Sequence, residues 1–526
     1  MDAYAHALHS DPKHPHNLPA WRKLAMLLTL SAMAFVSNLE AAAHLTAMPL
    51  VARSLRCTIA QAANAIGAGI IGLGTGPLLW NPLSTAVGRR PVYLISWTLF
   101  LPFIAYCALS PNLSNFLAAR FMAGFCSSAA QTIPAASIAE VWSPKSRGTA
   151  IAAWTLAVIT GPLIAPLVCA AIISRPASWR WMYWACLIMA CAVLLTALLF
   201  IPETLYTAAR DSSAEDEATA TDGNLVLFAE ARGGQEGGAG SPLSFEKKGG
   251  EAAERRRTAD VARARSDGES DVATVEHGVH LGAGGRVGAA YLPWREPARF
   301  FKTVIRPFRQ ALYLPILITC VWSAWIFTIS VGTTVVTPQI FERPPFNYTP
   351  VSVGLLFLAS IMGAILGKLA GGRAADWTIA HFTRRSKSGR REPELRLPAL
   401  VLPTCAVLVG TILYGDGLQR AESWVEAIVG TGIFYFGTSA IQGIAQTYCV
   451  ECDLKEAAST IPLYNFIKCV FGFAAPFFIP EWGFRGLRIA YVVQGVTSAG
   501  AGAVIITGLL IAGRQIRRAQ GLPVLA

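Results

Sequence analysis

Ionisable side chains set inside long apolar runs are the residues of this sequence best placed to do chemistry, because a charge in such a run is costly and is kept for a purpose. Glu40 and His44 stand four apart in LSAMAFVSNLEAAAHLTAMPL, a spacing that puts both on one face of a helix. Burial and a nearby base pull a carboxyl's proton affinity in opposite directions, so Glu40 is a candidate for taking up and releasing a proton. The plainer alternative is a structural acid held by a helix end. Arg120 shares a polar face with Gly124, Ser127, Ser128 and Gln131. An arginine does not discharge, so its role would be to hold a carboxylate or hydrate a gate. Asn465 and Lys468 stand three apart about ten residues into another apolar run, too deep for Lys468 to reach water, so that it should meet an acid or an aqueous cavity. Lys368 lies nearer a membrane surface and can snorkel. Trp154, Trp322, Trp325, Phe327, Tyr435, Phe436 and Tyr464 could line an apolar cavity for a flat organic molecule, although aromatics at helical spacing serve packing as readily.

Other chemistries find little support. Gly363–Leu369, GAILGKL, lacks the spacing and the Ser/Thr of a phosphate loop, so no ATP site is expected. Cys449 and Cys452 form a lone CxxC without a second pair, so no metal site is expected. No nucleophile and base share a depth, which argues against an intramembrane enzyme.

These residues must be carried by membrane helices. Of 526 residues, 53% are hydrophobic and only 14% charged, against about 25% charged in a typical soluble domain. At about 20 residues per crossing, the apolar runs predict twelve spanning helices near 24–50, 60–82, 91–109, 113–140, 148–173, 180–201, 311–335, 350–375, 397–415, 424–449, 457–480 and 486–511. The organisation is a tail (1–23), a six-helix bundle (24–202), a polar linker (203–310), a second six-helix bundle (311–511) and a tail (512–526). The linker holds 17 acids and 15 bases with few aromatics, the composition of a disordered segment. The net charge of +12 therefore comes from bases flanking the apolar runs, which orient a membrane protein rather than bind nucleic acid. With the N-terminus inside, the inner segments carry 18 bases and the outer loops 8, so both termini should be cytosolic. Ala298–Gln310, ARFFKTVIRPFRQ, alternates bases with apolar residues and suits the surface of an anionic inner leaflet.

The second and eighth spans are both Gly-rich and both run into a short basic loop, with Gly72 and Gly76 in one and Gly363, Gly367 and Gly371 in the other at four-residue intervals. Along the chain follow GPLLWNPLSTAVGRRPVYLIS, RFMAGF, SIAEVWSPKSRGTA, TGPLIAP, WRWMYW, PET at 202–204, PELRLP and YCVECDLKEAAS. In this order they resemble the major facilitator superfamily, and within it the fungal twelve-span drug:proton antiporters.

The resemblance implies an all-α membrane fold of two pseudo-symmetric six-helix bundles, and a plasma-membrane exporter of small amphiphilic organic compounds driven by protons, with no cofactor. A proton-coupled importer of a polar nutrient shares the fold and remains the alternative. It implies a coupling role for Glu40, His44, Arg120 and Lys468, with a gate built from Gly88, Arg89, Arg90, Glu140, Arg147 and Asp376. It also implies an antiporter helix carrying Gly161, Pro162 and Pro166; the missing side chain and backbone donors should leave this helix bent and smooth where it meets the second half. Ser127, Ser128, Gln131, Trp154, Trp322, Trp325, Tyr435, Tyr464 and Asn465 are the expected cavity residues. Two departures stand out. Thr85 occupies the place of an acid in the loop motif, and Ala165, Cys169 and Ala170 replace the family's usual glycines in the fifth span.

Overall fold

The computed structural model describes residues 15–174, 178–207, 286–287, 297–385, 392–420, 423–453 and 456–520. An apolar chain in lipid has no water to satisfy its N–H and C=O groups, and helices satisfy them internally. The first half accordingly comprises α1 (Ala20–Ala41), α2 (Met48–Ser54), α3 (Ile59–Thr75), α4 (Pro77–Val87), α5 (Arg89–Leu109), α6 (Leu113–Ser127), α7 (Ala129–Val141), α8 (Pro144–Ile173) and α9 (Trp181–Phe200). After α10 (Pro297–Gln310) come α11 (Leu314–Phe341), α12 (Pro350–Arg385), α13 (Val401–Arg420), α14 (Trp424–Cys452), α15 (Ala457–Arg485) and α16 (Leu487–Ala519). Eleven helical stretches among the described residues are long and apolar enough to cross a membrane. The fourth expected span is set apart by its polar face and by a break at Ser128, which divides it into α6 and α7 of 15 and 13 residues.

Among the described residues the first, second and fourth spans are jointed rather than straight, and the ninth opens with a 3-10 stretch at Pro393–Leu400. The first unwinds after Ala41, passes through a short 3-10 turn at Leu45–Ala47 and resumes as α2, so Glu40 and His44 are not neighbours on one continuous helix as their spacing suggested. Pro49 falls in the first turn of α2 and Pro77 opens α4, positions where a missing N–H costs little.

The helix pairs of the two halves correspond. In the first, α1 packs on α8, α3 on α6, and α5 on α9; in the second, α11 packs on α15, α12 on α14, and α13 on α16. The small-residue rows serve the equivalent pairs. A Cβ at Gly363 would lie 3.1 Å from the Gly432 Cα, and one at Gly72 would lie 3.2 Å from the Gly124 carbonyl carbon. Both crossings thus bring backbones together. The halves meet where α3 packs on α15 and α8 on α12.

Within the expected linker, Tyr206–Thr207 pairs antiparallel with Arg286–Val287, and α10 packs against α4 of one half and α15 of the other. Its Gln310 donates to the Asp453 carboxylate at 3.0 Å. Most of the linker, 208–285 and 288–296, lies outside the described residues, as do residues 1–14 of the N-terminal tail.

Candidate functional site

The joint after Ala41 exposes backbone carbonyls that a helix would have used, and Arg120 of α6 satisfies them. Its guanidinium donates to the Glu40 carbonyl at 2.6 Å, to the Ala41 carbonyl, and to the Ala65 carbonyl at 3.3 Å, and forms an ion pair with the Glu40 carboxylate through Oε1. Both side chains are fully buried. Glu40 Oε2 is buried without a hydrogen-bond partner. The Arg120 guanidinium also lies 5.8 Å from the centroid of the Tyr183 ring, within the range of a cation–π contact. The Tyr183 hydroxyl is 2.8 Å from His44 Nδ1. His44 Nε2 is 3.3 Å from the Ala62 carbonyl. A carbonyl only accepts, so Nε2 carries the hydrogen and Nδ1 accepts from Tyr183. Thus Glu40, Arg120, Tyr183 and His44 form one buried network, in which His44 is tied at both ring nitrogens and Glu40 keeps an unused oxygen.

A second network lies where α4, α5, α7 and the residues after α9 come together. Gly88, at φ 121°, turns the chain into α5, and a Cβ there would meet Glu203 Oε2 at 2.5 Å. Only glycine holds that conformation without strain. Glu203 takes the place this leaves open, accepting from the N–H groups of Arg89 at 2.8 Å and Arg90 at 3.1 Å. It so caps α5, whose first N–H groups have no partner within the helix. The Arg89 side chain donates to Glu140 at 3.0 Å and to the Ser84 hydroxyl at 2.6 Å, while Thr204 donates to the other Glu140 oxygen at 2.7 Å. Arg90 donates to the Leu198 carbonyl at 3.0 Å. Of the expected gate residues, Glu140 forms its ion pair with Arg89, which reaches it across α5 and α7. Thr85 donates to the Pro82 carbonyl and stays outside the network, so Glu140 and Glu203 supply its acids. The sequence reading missed Glu203 as a site residue, although the PET segment that carries it was visible.

The second half answers with its own network. Arg396 pairs bidentately with Glu451 at 2.7 and 3.1 Å, with Asp376 at 3.8 Å and mostly exposed. Glu394 and Arg517 form a buried bidentate pair at 2.6 and 2.8 Å, and Arg514 pairs with Glu392. The two-pronged fit of guanidinium to carboxylate fixes direction as well as distance.

Several expected positions face elsewhere. α8 runs unbroken through Pro162 and Pro166, and a Cβ at Gly161 would meet the Phe35 carbonyl at 2.7 Å and Asn38 Cβ at 2.9 Å. Gly161 therefore fits α8 onto α1 of its own half; the meeting with the second half lies further along, where Gly354 of α12 approaches Leu167 and Ala170. Trp322 donates to the Ser498 carbonyl at 2.9 Å, and Trp325 donates to the Thr497 hydroxyl at 3.3 Å, so both turn toward α16. Their periodicity was that of packing. Trp154 donates to the Ala130 carbonyl, Gln131 to Ser37, and Ser127 and Ser128 to carbonyls of their own helix. Tyr435 donates to the Ser330 carbonyl at 2.9 Å, and Tyr464 to the Gln442 carbonyl at 3.3 Å. Asn465 crosses between the halves, donating to the Leu73 carbonyl at 3.1 Å. Among the described residues Lys468 meets no acid; its ammonium lies 5.0 Å from the Phe327 ring centroid. Lys368, expected to snorkel, instead lies against Gly443 of α14.

Two helical bundles with matched internal packing and buried charges at their centre define a polytopic membrane protein of the two-bundle class. Residues 30–476 match the family model described as Major Facilitator Superfamily. The chain is similar to the efflux pump radE of Floropilus chiversii, 23% identical over 470 residues, covering 89% of this chain and 76% of that protein. It is 26% identical over 472 residues to the MFS-type transporter phm3 of Pyrenochaetopsis sp, covering 89% and 84%. Over 495 residues it is 22% identical to the MFS antiporter QDR3 of Candida albicans, covering 83% and 70%. Among solved structures, the proton:xylose symporter XylE bound to 6-bromo-6-deoxy-D-glucose superposes with a TM-score of 0.57 at 13% identity, over 94% of this chain and 96% of that one. The chain belongs to the major facilitator superfamily, and it is a membrane transporter rather than an enzyme.

Proposed function

We propose that this transporter exports small amphiphilic organic compounds in exchange for protons, its two halves rocking about a central site, with the chain termini on the cytosolic side of the plasma membrane. The observation that carries the reading is the Glu40 carboxylate, held at one oxygen by Arg120 and left with a buried, unpartnered Oε2. A proton on Oε2 neutralises the carboxylate and weakens its hold on Arg120, and loss of the proton restores the pair, which gives the network two states that a gradient can bias. His44 and Tyr183 position the guanidinium rather than carry the proton, because both His44 nitrogens are engaged. At the cytosolic face, Arg89 with Glu140, and Arg396 with Glu451, are the pairs that opening would rearrange, with Arg147 and Asp376 at their margins. α10 lies on the anionic inner leaflet, presenting Lys302 and Arg309 beside the exposed Phe301, Ile305 and Phe308.

Relatives named as efflux pumps and antiporters support the direction of transport. The XylE likeness speaks only to the fold. The test is uptake into inside-out vesicles with an imposed pH gradient across a panel of amphiphilic compounds. Accumulation against the proton flux is the expected result. Accumulation with the proton flux would replace export by nutrient import.

A further inference from the structure

The charged side chains singled out within the apolar runs are Glu40, Arg120, Lys368 and Lys468, while Arg373 and Asp376 lie further along α12 toward its C-terminal end. The first two neutralise each other. The lysines are left as a surplus of two positive charges in the second half, and the acids near them along the chain are committed elsewhere. Glu451 pairs with Arg396, Glu394 with Arg517, Asp453 accepts from Gln310, and Asp376 faces Arg396 two helical turns beyond Lys368. Every ion pair found among the described residues of this half uses an arginine.

The two ammonium groups converge. Lys368 of α12 points at α14, where a Cβ on Gly443 would lie 3.1 Å from its Nζ, and the absence of a side chain there leaves the ammonium its room. Lys468 of α15 lies over the Phe327 ring of α11, and Tyr464, one turn before it, donates to the carbonyl of Gln442, the residue next to Gly443, at 3.3 Å, so both lysines flank the same stretch of α14. Both are half-buried. Tyr464, one turn before Lys468 on the same face of α15, adds a second aromatic surface. Two like charges placed together without a counter-charge repel and lack the solvation of water, an arrangement that an incoming anion relieves.

We infer that Lys368 and Lys468 form an anion-binding site that receives the carboxylate of the exported compound, so that the cargo is an amphiphilic organic acid whose apolar body lies along Phe327 and Tyr464. This rests on the export reading for the word cargo, but the site is tested without any gradient. Purified full-length protein in nanodiscs is titrated with radiolabelled 4-iodobenzoate and with its neutral twin 4-iodobenzamide, at equilibrium and equal pH on both sides. The acid is expected to bind at least ten-fold more tightly than the amide. Lys468→Gln is expected to remove most of that preference, Lys368→Gln part of it, and Lys468→Arg to retain it, with amide binding unaltered in all three. Wild-type protein that binds the acid no more tightly than the amide overturns the inference, as does Lys468→Gln protein that is monodisperse and retains the full preference. Failure of the export reading would show only in the sign of coupling in vesicles, which this measurement does not involve.

Discussion

In the first half, residues 24–202 contain just two acids, Glu40 and Glu140, and the deep one is locked to Arg120 across the joint in the first span. In the second half the deep charges are two lysines, and the acids lie toward the ends of the helices. The same helix pairs, α3 on α6 and α12 on α14, thus carry opposite polar programmes. A duplicated backbone needs only small residues at its crossings to be preserved, whereas the side chains facing inward are free to divide the labour. On this view the first half holds the proton and the second half holds the cargo.

The sharpest way to break that division is Glu40→Gln. The amide keeps the shape and can still accept from Arg120, but it cannot titrate, so gradient-driven accumulation in inside-out vesicles should fall to background at wild-type protein levels. Near-normal accumulation would take the proton away from the first half. Arg120→Met should act on stability instead, because an ion left unpaired in a buried site costs about 3–5 kcal/mol. Thermal unfolding in detergent should show that loss, and adding Glu40→Gln should recover most of it. Lys468→Gln, which leaves no buried partner behind, should show no comparable loss; if it does, the halves do not differ in this way.

The networks around Glu203 and Glu451 offer a milder contrast. Glu203→Ala removes the acceptor for the Arg89 and Arg90 N–H groups. Losing such a cap costs about 0.5–2 kcal/mol. Glu451→Ala leaves Arg396 with only the exposed Asp376 at 3.8 Å. Glu203→Ala should lower the unfolding midpoint and slow transport several-fold. An unchanged midpoint would mean that water replaces the carboxylate as the cap.

How far the sequence leads depends on what each residue must touch. The spans, the basic loops and the Gly-rich crossings were legible because length, charge and period are local properties. Glu40 and Arg120 were legible as exceptions to apolarity, yet their pairing depends on the joint after Ala41, where neither proline nor glycine marks the break. Trp322 and Trp325 could not be oriented from spacing, since a helical period does not say which neighbouring helix a face meets. Gly161 was misplaced for a related reason: a small residue signals close approach without saying to which helix. Glu203 escaped because its function is to cap a helix 113 residues earlier in the chain.

The smallest effect concerns Glu342, at the end of α11 on the face opposite the gating networks, where the first half has no acid at all. One of its oxygens is buried without a partner, and burial pushes its carboxyl up to about 7, with the neighbouring Arg343 pulling the other way. Its ordinary value is 4.5, so between the two values the native protein holds a proton that the unfolded chain releases. The stabilisation is complete below the lower value and is lost as pH rises through the upper one. The unfolding midpoint in detergent should therefore fall modestly from about pH 5 to about pH 8. Glu342→Gln fixes the neutral form, so it should flatten this part of the slope and raise the midpoint at the alkaline end. An identical slope in the variant would show that Glu342 is not the group that titrates.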